Sequence, residues 1–219
     1  FLSSSINFFS LSFFSSTFSL ESLSVLADYT DTHLHLMNEI DSTFGEKFPN
    51  GLGANMFKLG EVGNEEIAEI TLLAADRVRM FGIEPRVALL SHSSFGSHAN
   101  PSARKMSRAH QLITKAAPEL EVEGEMSADM ALSDAFRKQE FPNSRLRGPA
   151  NLLVMPNLDA AHITFNFARI VSDSVTVGPI LMGLDYPAHV LTPLASVRRV
   201  INMTAFSVVE AQMRERQKT

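Results

Sequence analysis

Cysteine is absent from the 219-residue chain. Its absence excludes disulfide bonds, thiolate nucleophiles and Cys-ligated zinc, and it is compatible with a reducing cytoplasm. No apolar run is long enough to span a bilayer. A formal net charge of −5 gives no basic footprint for nucleic acid or an anionic membrane. We therefore expect a globular cytoplasmic protein without nucleic-acid or membrane partners, in which an anion can still bind locally.

The N-terminal region lacks basic residues, because no Lys or Arg precedes Lys47, and six of the sixteen Phe lie within the first eighteen positions. A signal peptide would need a basic segment and a small-residue cleavage site, and neither is present. The stretch FLSSSINFFSLSFFSSTFSLESL at the start is either a set of strands with Phe at alternate positions or a stretch with unreliable residue identities, and we assign it no function. Because the chain begins with Phe, we expect it to be a piece of a longer protein.

From Asn64 onward, helical and strand patterns alternate. Asn64 is predicted to cap the first helix, and Gly82 is predicted to end it in a left-handed conformation. Strands alternating with helices of this length indicate an α/β fold, with a mainly parallel sheet covered by helices on both faces. The predicted strands are 86–90, 120–124, 151–155, 175–181 and 188–191, and the further predicted helices are 102–117, 129–138, 159–171 and one starting at Ser196.

Ligands of such sheets bind beyond the carboxyl ends of the strands, which here are followed by the segments 91–101, 157–161 and 192–196. The first contains Ser91-His-Ser-Ser-Phe-Gly-Ser97, whose hydroxyl and backbone N–H groups suit a phosphate. A Ser-rich turn is the alternative interpretation. The segment lacks the ending of a Walker loop and the G-x-S-x-G pattern of a nucleophilic serine.

The other two segments contribute further polar candidates. Asp159 is a helix cap or a ligand contact, and Asn157 can hydrogen-bond a ligand. Arg198 and Arg199 oppose the helix dipole unless an anion binds there or the side chains face solvent. The predicted ligand-binding residues are Ser91, Ser93, Ser94, Gly96, Ser97, Asn157, Asp159, Thr192, Ser196, Arg198 and Arg199.

Asp31-Thr-His-Leu-His35 offers an alternative with a metal. Two His at i and i+2 on a strand point to one face and can share an ion, as at the start of metal-dependent amidohydrolases. The remaining His form no supporting pattern, so we predict no metal site.

The region 65–212 resembles the phosphate acetyl/butyryl transferase family. The resemblance lies in EEIAEITLLAADRVRMFGIEPRVALLSHSSFGS, NLLVMPNLDAAHITFNFAR and VGPILMGLDYPAHVLTPLASVRRVINMTAFSVVEAQ. Within the family, FGIEPRVALLSHSSFGS and TPLASVRRVINMTA are most similar to the C-terminal domain of bacterial NADP-dependent malic enzymes.

The resemblance implies a phosphotransacetylase-like (isocitrate/isopropylmalate dehydrogenase-like) arrangement of two domains with acetyl-CoA in the cleft between them. Residues 1–63 would be a remnant of the first subdomain, 64–184 the second, and 185–219 a strand and helix returning to the first. Self-association is common in the family, so we expect a homo-oligomer.

The start of the last helix departs from the pattern of active phosphotransacetylases, which resembles L-S-R-G-x-x-x-D-D-I. Here Thr192 keeps a hydroxyl, Pro193 replaces the Arg that holds phosphate, and Arg199 replaces the Asp proposed to accept the CoA thiol proton. A guanidinium stays protonated and cannot act as a base. We therefore predict no catalytic residue in this chain.

Together these features predict a regulatory domain that binds acetyl-CoA, or a related acyl-CoA, beside a malic enzyme catalytic domain of the same chain. NADP and a divalent metal would belong to the parent enzyme, because neither a G-x-G-x-x-G motif nor a metal-binding carboxylate set is found here. The alternatives are an active phosphate acetyltransferase and a structural oligomerisation module.

Overall fold

The computed structural model describes residues 7–13, 23–26, 62–171, 180–184, 186–191, 193 and 195–218. The helices in these parts of the chain are α1 (Asn64–Met80), α2 (Pro101–Ala116), α3 (Ala128–Leu132), α4 (Asp134–Glu140), α5 (Leu158–Val171) and α6 (Val197–Lys218). The strands are β1 (Asn7–Phe13), β2 (Leu23–Leu26), β3 (Arg86–Leu90), β4 (Glu121–Met126), β5 (Leu152–Val154) and β6 (Ile180–Met182).

The strands form one sheet in the order β4-β3-β5-β2-β1-β6. β3 pairs in parallel with β4 on one side and with β5 on the other, and β5 pairs in parallel with β2. Only β1 runs the other way, antiparallel to β2 and to β6. The predicted α/β class with a mainly parallel sheet is confirmed.

The two faces of the sheet carry separate cores because successive side chains of a strand point to opposite sides. Val87 and Leu89 of β3 belong to the larger core, which α1, α2 and α6 cover. Ala88 and Leu90 belong to the smaller core, which includes residues of α3 and α5. The helices therefore lie on both faces, as predicted, and the runs 86–90 and 152–154 are apolar throughout apart from Arg86 because both of their faces are covered.

Two of the predicted helix boundaries are correct. Gly82 follows α1 with φ +74° and donates its N–H to the Arg79 carbonyl oxygen, a conformation that costs glycine little. Ser196 caps α6, since its hydroxyl oxygen accepts the Arg199 N–H at 3.3 Å. The predicted cap at Asn64 is wrong, because Gly63 is the N-cap of α1 and Asn64 is its first helical residue.

Two predicted elements differ in the structure. The helix expected over 129–138 is two short helices, since Ser133 has extended backbone (φ −110°, ψ 102°) and its hydroxyl caps α4 by accepting the Phe136 N–H. The strand expected over 188–191 is irregular. His189 there accepts the Leu181 N–H on Nδ1, so a side chain takes the place of a backbone ladder. Of the strand expected over 175–181, residues 175–179 lie outside the described residues.

A buried charge cluster fixes α6 to the larger core. The Glu210 carboxylate, 1% exposed, lies 2.9 Å from Arg77 of α1, 2.8 Å from Arg214 and 3.3 Å from Nε2 of His189. Burial raises the pKa of Glu210, but the His189 ring and the two guanidiniums lower it more, so the pKa lies below the ordinary Glu value. Glu210 is therefore held as a carboxylate that joins α6 to α1 and to the segment after β6.

We expect Glu210→Gln to lower the free energy of unfolding by about 3 kcal/mol, because removing one partner of a buried ion pair leaves the other charges uncompensated. Denaturant unfolding at neutral pH measures this loss. Glu140→Gln, at an exposed position, is the matched control and is expected to change stability by less than about 0.5 kcal/mol.

The same cluster predicts a pH dependence. A carboxyl with a lowered pKa in the folded state contributes stability that is fully present above its unfolded pKa, about 4.3, and is lost as the pH falls through its folded pKa. Wild-type stability is expected to fall between about pH 5 and pH 3 by more than that of Glu210→Gln. Equal losses in the two proteins would contradict this assignment.

Candidate functional site

The Ser-rich segment after β3 folds around a buried carboxylate. Glu125, at the end of β4 and 3% exposed, accepts hydrogen bonds from the Ser93 hydroxyl at 3.0 Å and the Gly96 N–H at 2.7 Å on its Oε1 atom. The Phe95 N–H bonds the Glu125 carbonyl oxygen at 2.8 Å. Ser93 is fully buried. Two of the donors predicted for phosphate are thus used by a carboxylate of the protein itself.

The turn geometry explains how the backbone reaches this carboxylate. Phe95 and Gly96 both lie in the left-handed region, with φ of +50° and +84°. Glycine adopts that conformation freely, whereas Phe rarely does. The turn brings the Gly96 N–H to Glu125, as backbone N–H groups in such concave turns do for anions.

The other serines of the segment form hydrogen bonds within the loop and with Ser127, the residue after β4. The hydroxyl of Ser97 accepts the Ser94 N–H at 3.0 Å, and that of Ser91 accepts the Ser93 N–H at 3.2 Å. The Ser94 hydroxyl accepts the Ser127 N–H at 3.1 Å. The carboxyl ends of the neighbouring strands β3 and β4 therefore form one hydrogen-bonded unit.

Glu125 and Ser127 were missed by sequence reasoning. Both follow a short strand pattern, LEVEG, that by itself indicates an element ending at Gly124. The strand continues to Met126 beside β3, whose apolar residues require a partner there. Only that pairing brings the carboxylate to the loop, so no local pattern points to it.

The second predicted segment is a helix start. The Asn157 side-chain oxygen accepts the Ala160 N–H at 2.9 Å, so Asn157 is the residue that caps α5. Asp159, which sequence reasoning treated as a possible cap, lies in the first turn of the helix, where a carboxylate complements the dipole. Lys105 of α2 donates to the Pro156 carbonyl oxygen at 2.5 Å and so connects this segment to the end of α2 that follows the Ser-rich loop.

The third predicted segment is partly described. Thr192 lies outside the described residues, whereas Pro193, Ser196 and Arg198 are exposed and Arg199 is half-buried in the first turn of α6. The bonds of Ser196 stay within its own helical turn, to Arg199 and Val200. The ligand-contact role of the three segments stays a prediction.

For metals and membranes, the structure gives findings on the described residues alone. His33 and His35 lie outside the described residues. Among the residues that are described, no group of three or more His, Cys, Asp or Glu is placed to hold a metal ion. No described helix combines the length and apolarity needed to cross a membrane.

The fold is that of phosphotransacetylases. The chain superposes on EutD phosphotransacetylase from Staphylococcus aureus with a TM-score of 0.70 at 24% identity, covering 94% of this chain and 54% of that one. A phosphotransacetylase from Streptococcus pyogenes gives a TM-score of 0.71 at 23% identity. Likeness at this identity establishes the architecture alone.

Sequence comparison then establishes the family. The model of the family described as "Phosphate acetyl/butaryl transferase" matches residues 63–208, and the chain belongs to that family. The NADP-dependent malic enzyme of Escherichia coli is 57% identical over 160 residues, which are 73% of this chain and 21% of the relative. The phosphate acetyltransferase of Paracoccus denitrificans is 42% identical over 67% of this chain and 46% of its own length. The chain thus spans about a fifth of the malic enzyme.

We expect Glu125→Ala to lower the free energy of unfolding by about 2 kcal/mol, because the Ser93 hydroxyl and the Gly96 N–H would lose their acceptor at a buried position. Denaturant unfolding monitored by circular dichroism measures the change. Glu119→Ala, at an exposed position on the connection between α2 and β4, is the control with an ordinary surface effect. Equal stability of the two variants would show that Glu125 does not organise the loop.

Proposed function

We propose that the chain is a phosphotransacetylase-like regulatory domain of an NADP-dependent malic enzyme, and that it binds acetyl-CoA as an allosteric effector without transferring the acetyl group. The identity to the malic enzyme of Escherichia coli supports the parentage. The catalytic domain, NADP, a divalent metal and a cytoplasmic location belong to that parent in this proposal.

The observation that carries the proposal is Arg199. It stands in the first turn of α6, with its N–H bonded to the capping Ser196 hydroxyl, where the pattern of active family members has the proposed base. An arginine remains protonated throughout the physiological range and cannot accept the thiol proton of CoA. Loss of general-base assistance costs on the order of 10²–10⁴ in rate. Pro193 also lacks the guanidinium that the pattern assigns to phosphate binding.

The Ser-rich loop supports the same conclusion. Ser93 and Gly96 donate to Glu125, so fewer donors are left for a second anionic substrate such as phosphate. Arg198 and Arg199 meanwhile supply positive charge near the N-terminus of α6, which suits a polyanionic ligand. These two features favour binding of acetyl-CoA over transfer of its acetyl group to phosphate.

Regulation requires that acetyl-CoA bind two states of the parent enzyme with different affinities. The expected sense is feedback, in which abundant acetyl-CoA restrains the supply of pyruvate from malate.

The first test is acetyl transfer from acetyl phosphate to CoA, followed by thioester absorbance beside an active phosphotransacetylase. We expect no turnover above background. Clear turnover would overturn the regulatory interpretation and favour the alternative of an active phosphate acetyltransferase, which the likeness to the Paracoccus denitrificans enzyme keeps as the second candidate. The double variant Pro193→Arg/Arg199→Asp restores the Arg and the Asp of the active pattern. Any acetyl transfer by the wild-type protein is expected to be faster in this variant.

Binding is tested separately by titrating acetyl-CoA in a calorimeter. We expect saturable binding that weakens about tenfold in Arg198→Gln, since a charge-assisted hydrogen bond contributes about 1.5–3 kcal/mol. Lys115→Gln, which removes a charge at the far end of α2, is the control and should leave the affinity unchanged. An absence of binding in the wild-type protein would contradict the proposal.

An oligomerisation module is the alternative from another class, and one feature favours it. Apolar side chains at Ile163, Phe167 and Ile170 form a stripe on α5 and are 68%, 69% and 74% exposed. Their spacing of four and three places them on one helix face. A purely structural module would self-associate through such a face and ignore acetyl-CoA, so the same calorimetric titration separates the two functions.

A further inference from the structure

An open cavity of about 430 Å³ lies between the first turns of α1 and α2. Its volume falls within the range of small-molecule sites in proteins. Of the three segments predicted from the sequence to bind ligand, 91–101 contributes Pro101 to the lining. No described residue of 157–161 or 192–196 lines the cavity. The side chains and backbone that line it include Gly63, Asn64, Pro101, Arg104, Lys105 and Arg108.

The cavity lies at the edge of the sheet where α/β folds bind ligands. α2 leaves the carboxyl end of β3 and leads to the parallel strand β4, so its first turn lies at that edge. α1 leads into the start of β3 through a short turn, so its first turn points the same way. Both helix N-termini, each with a partial positive charge, therefore border the cavity, and this edge is the one at which ligands of open parallel sheets bind.

The charges around the cavity are unusual for a chain with a net charge of −5. α2 contains four Lys or Arg and no Asp or Glu, and three of those cations line the cavity. Cations in the first half of a helix oppose its dipole. Glu65 and Glu66 lie in the first turn of α1, and the Glu66 carboxylate lies against Gly63. None of the described residues that line the cavity is Asp or Glu, so the charged side chains of its lining are all cationic.

The two arginines are available to a ligand. The exposed Arg104 guanidinium donates to the Ala99 carbonyl oxygen at 3.1 Å. Arg108 is also exposed, and its guanidinium forms no hydrogen bond or ion pair with a described residue. Lys105 is oriented by its bond to the Pro156 carbonyl oxygen. Guanidinium groups bind phosphate oxygens in a bidentate manner, and a cavity of this size holds more than a single phosphate.

We infer that this cavity binds a phosphoryl or diphosphoryl group carrying at least two negative charges. The group comes either from a free inorganic anion or from a larger phosphorylated molecule, and the second source includes the phosphates of acyl-CoA, a case that rests on the proposed function. Arg104 and Arg108 would contact the phosphate oxygens, and Lys105 would border them.

Inorganic pyrophosphate is the probe, titrated into the protein by calorimetry at low ionic strength, where charge interactions are least screened. We expect saturable binding that weakens about tenfold in Arg108→Gln and in Arg104→Gln. Lys115→Gln on the same helix removes the same charge outside the cavity and should leave binding unchanged. Glu66→Gln removes the bordering carboxylate and should strengthen binding. Thermal unfolding of each variant checks that the fold is retained.

The outcomes separate the inference from the proposed function. Absence of saturable pyrophosphate binding, or equal affinities in the two arginine variants and the wild type, would overturn the cavity as an anion site whatever acetyl-CoA does. If the arginine variants weaken pyrophosphate and acetyl-CoA alike, the cavity takes the phosphates of the acyl-CoA. If they weaken pyrophosphate alone, it is a site for a free anion, and acetyl-CoA binding stands or falls by the separate titration.

Discussion

The parallel pairing of β3 with β4 and β5 is the constraint on which the rest of the structure depends. Val87 lies opposite Val122 on one side and Leu152 on the other, so β3 is paired along both edges and buried on both faces. Parallel neighbours require crossover connections, and α2 supplies the one between β3 and β4. The positions of the helices, the Ser-rich loop and the cavity all follow from this arrangement.

A consequence of that pairing is that several loops and helix starts meet at one edge of the sheet. The loop after β3 meets the residues that end β4, and Lys105 of α2 reaches the residue after β5. The same edge receives the N-termini of α1 and α2. Backbone N–H groups and cationic side chains are thus concentrated there, which explains why a chain with a negative net charge can still present a site suited to anions.

The protein also supplies carboxylates of its own to buried polar and charged groups. Glu125 accepts the donors of the Ser-rich loop, and Glu210 lies among Arg77, Arg214 and His189. In both cases a carboxylate holds two elements together that are distant in sequence. These contacts fix the conformation of the Ser-rich loop. They also hold the middle of α6 to the larger core, while Arg198 in the first turn of α6 is exposed.

The sequence by itself determined the elements whose signals are local. The apolar runs of β3 and β5, the left-handed Gly82 and the capping Ser196 all act through neighbouring residues, and the α/β alternation followed from them. The resemblance carried by residues 65–212 agrees with the family match.

Tertiary structure decided what depends on contacts between distant residues. Ser93 faces Glu125 because β4 pairs with β3, residues 188–191 stay irregular because His189 bonds Leu181 with its side chain, and Arg104, Lys105 and Arg108 surround a cavity because α1 packs beside α2. No local pattern specifies such contacts, because each of them depends on packing between segments that lie apart along the chain.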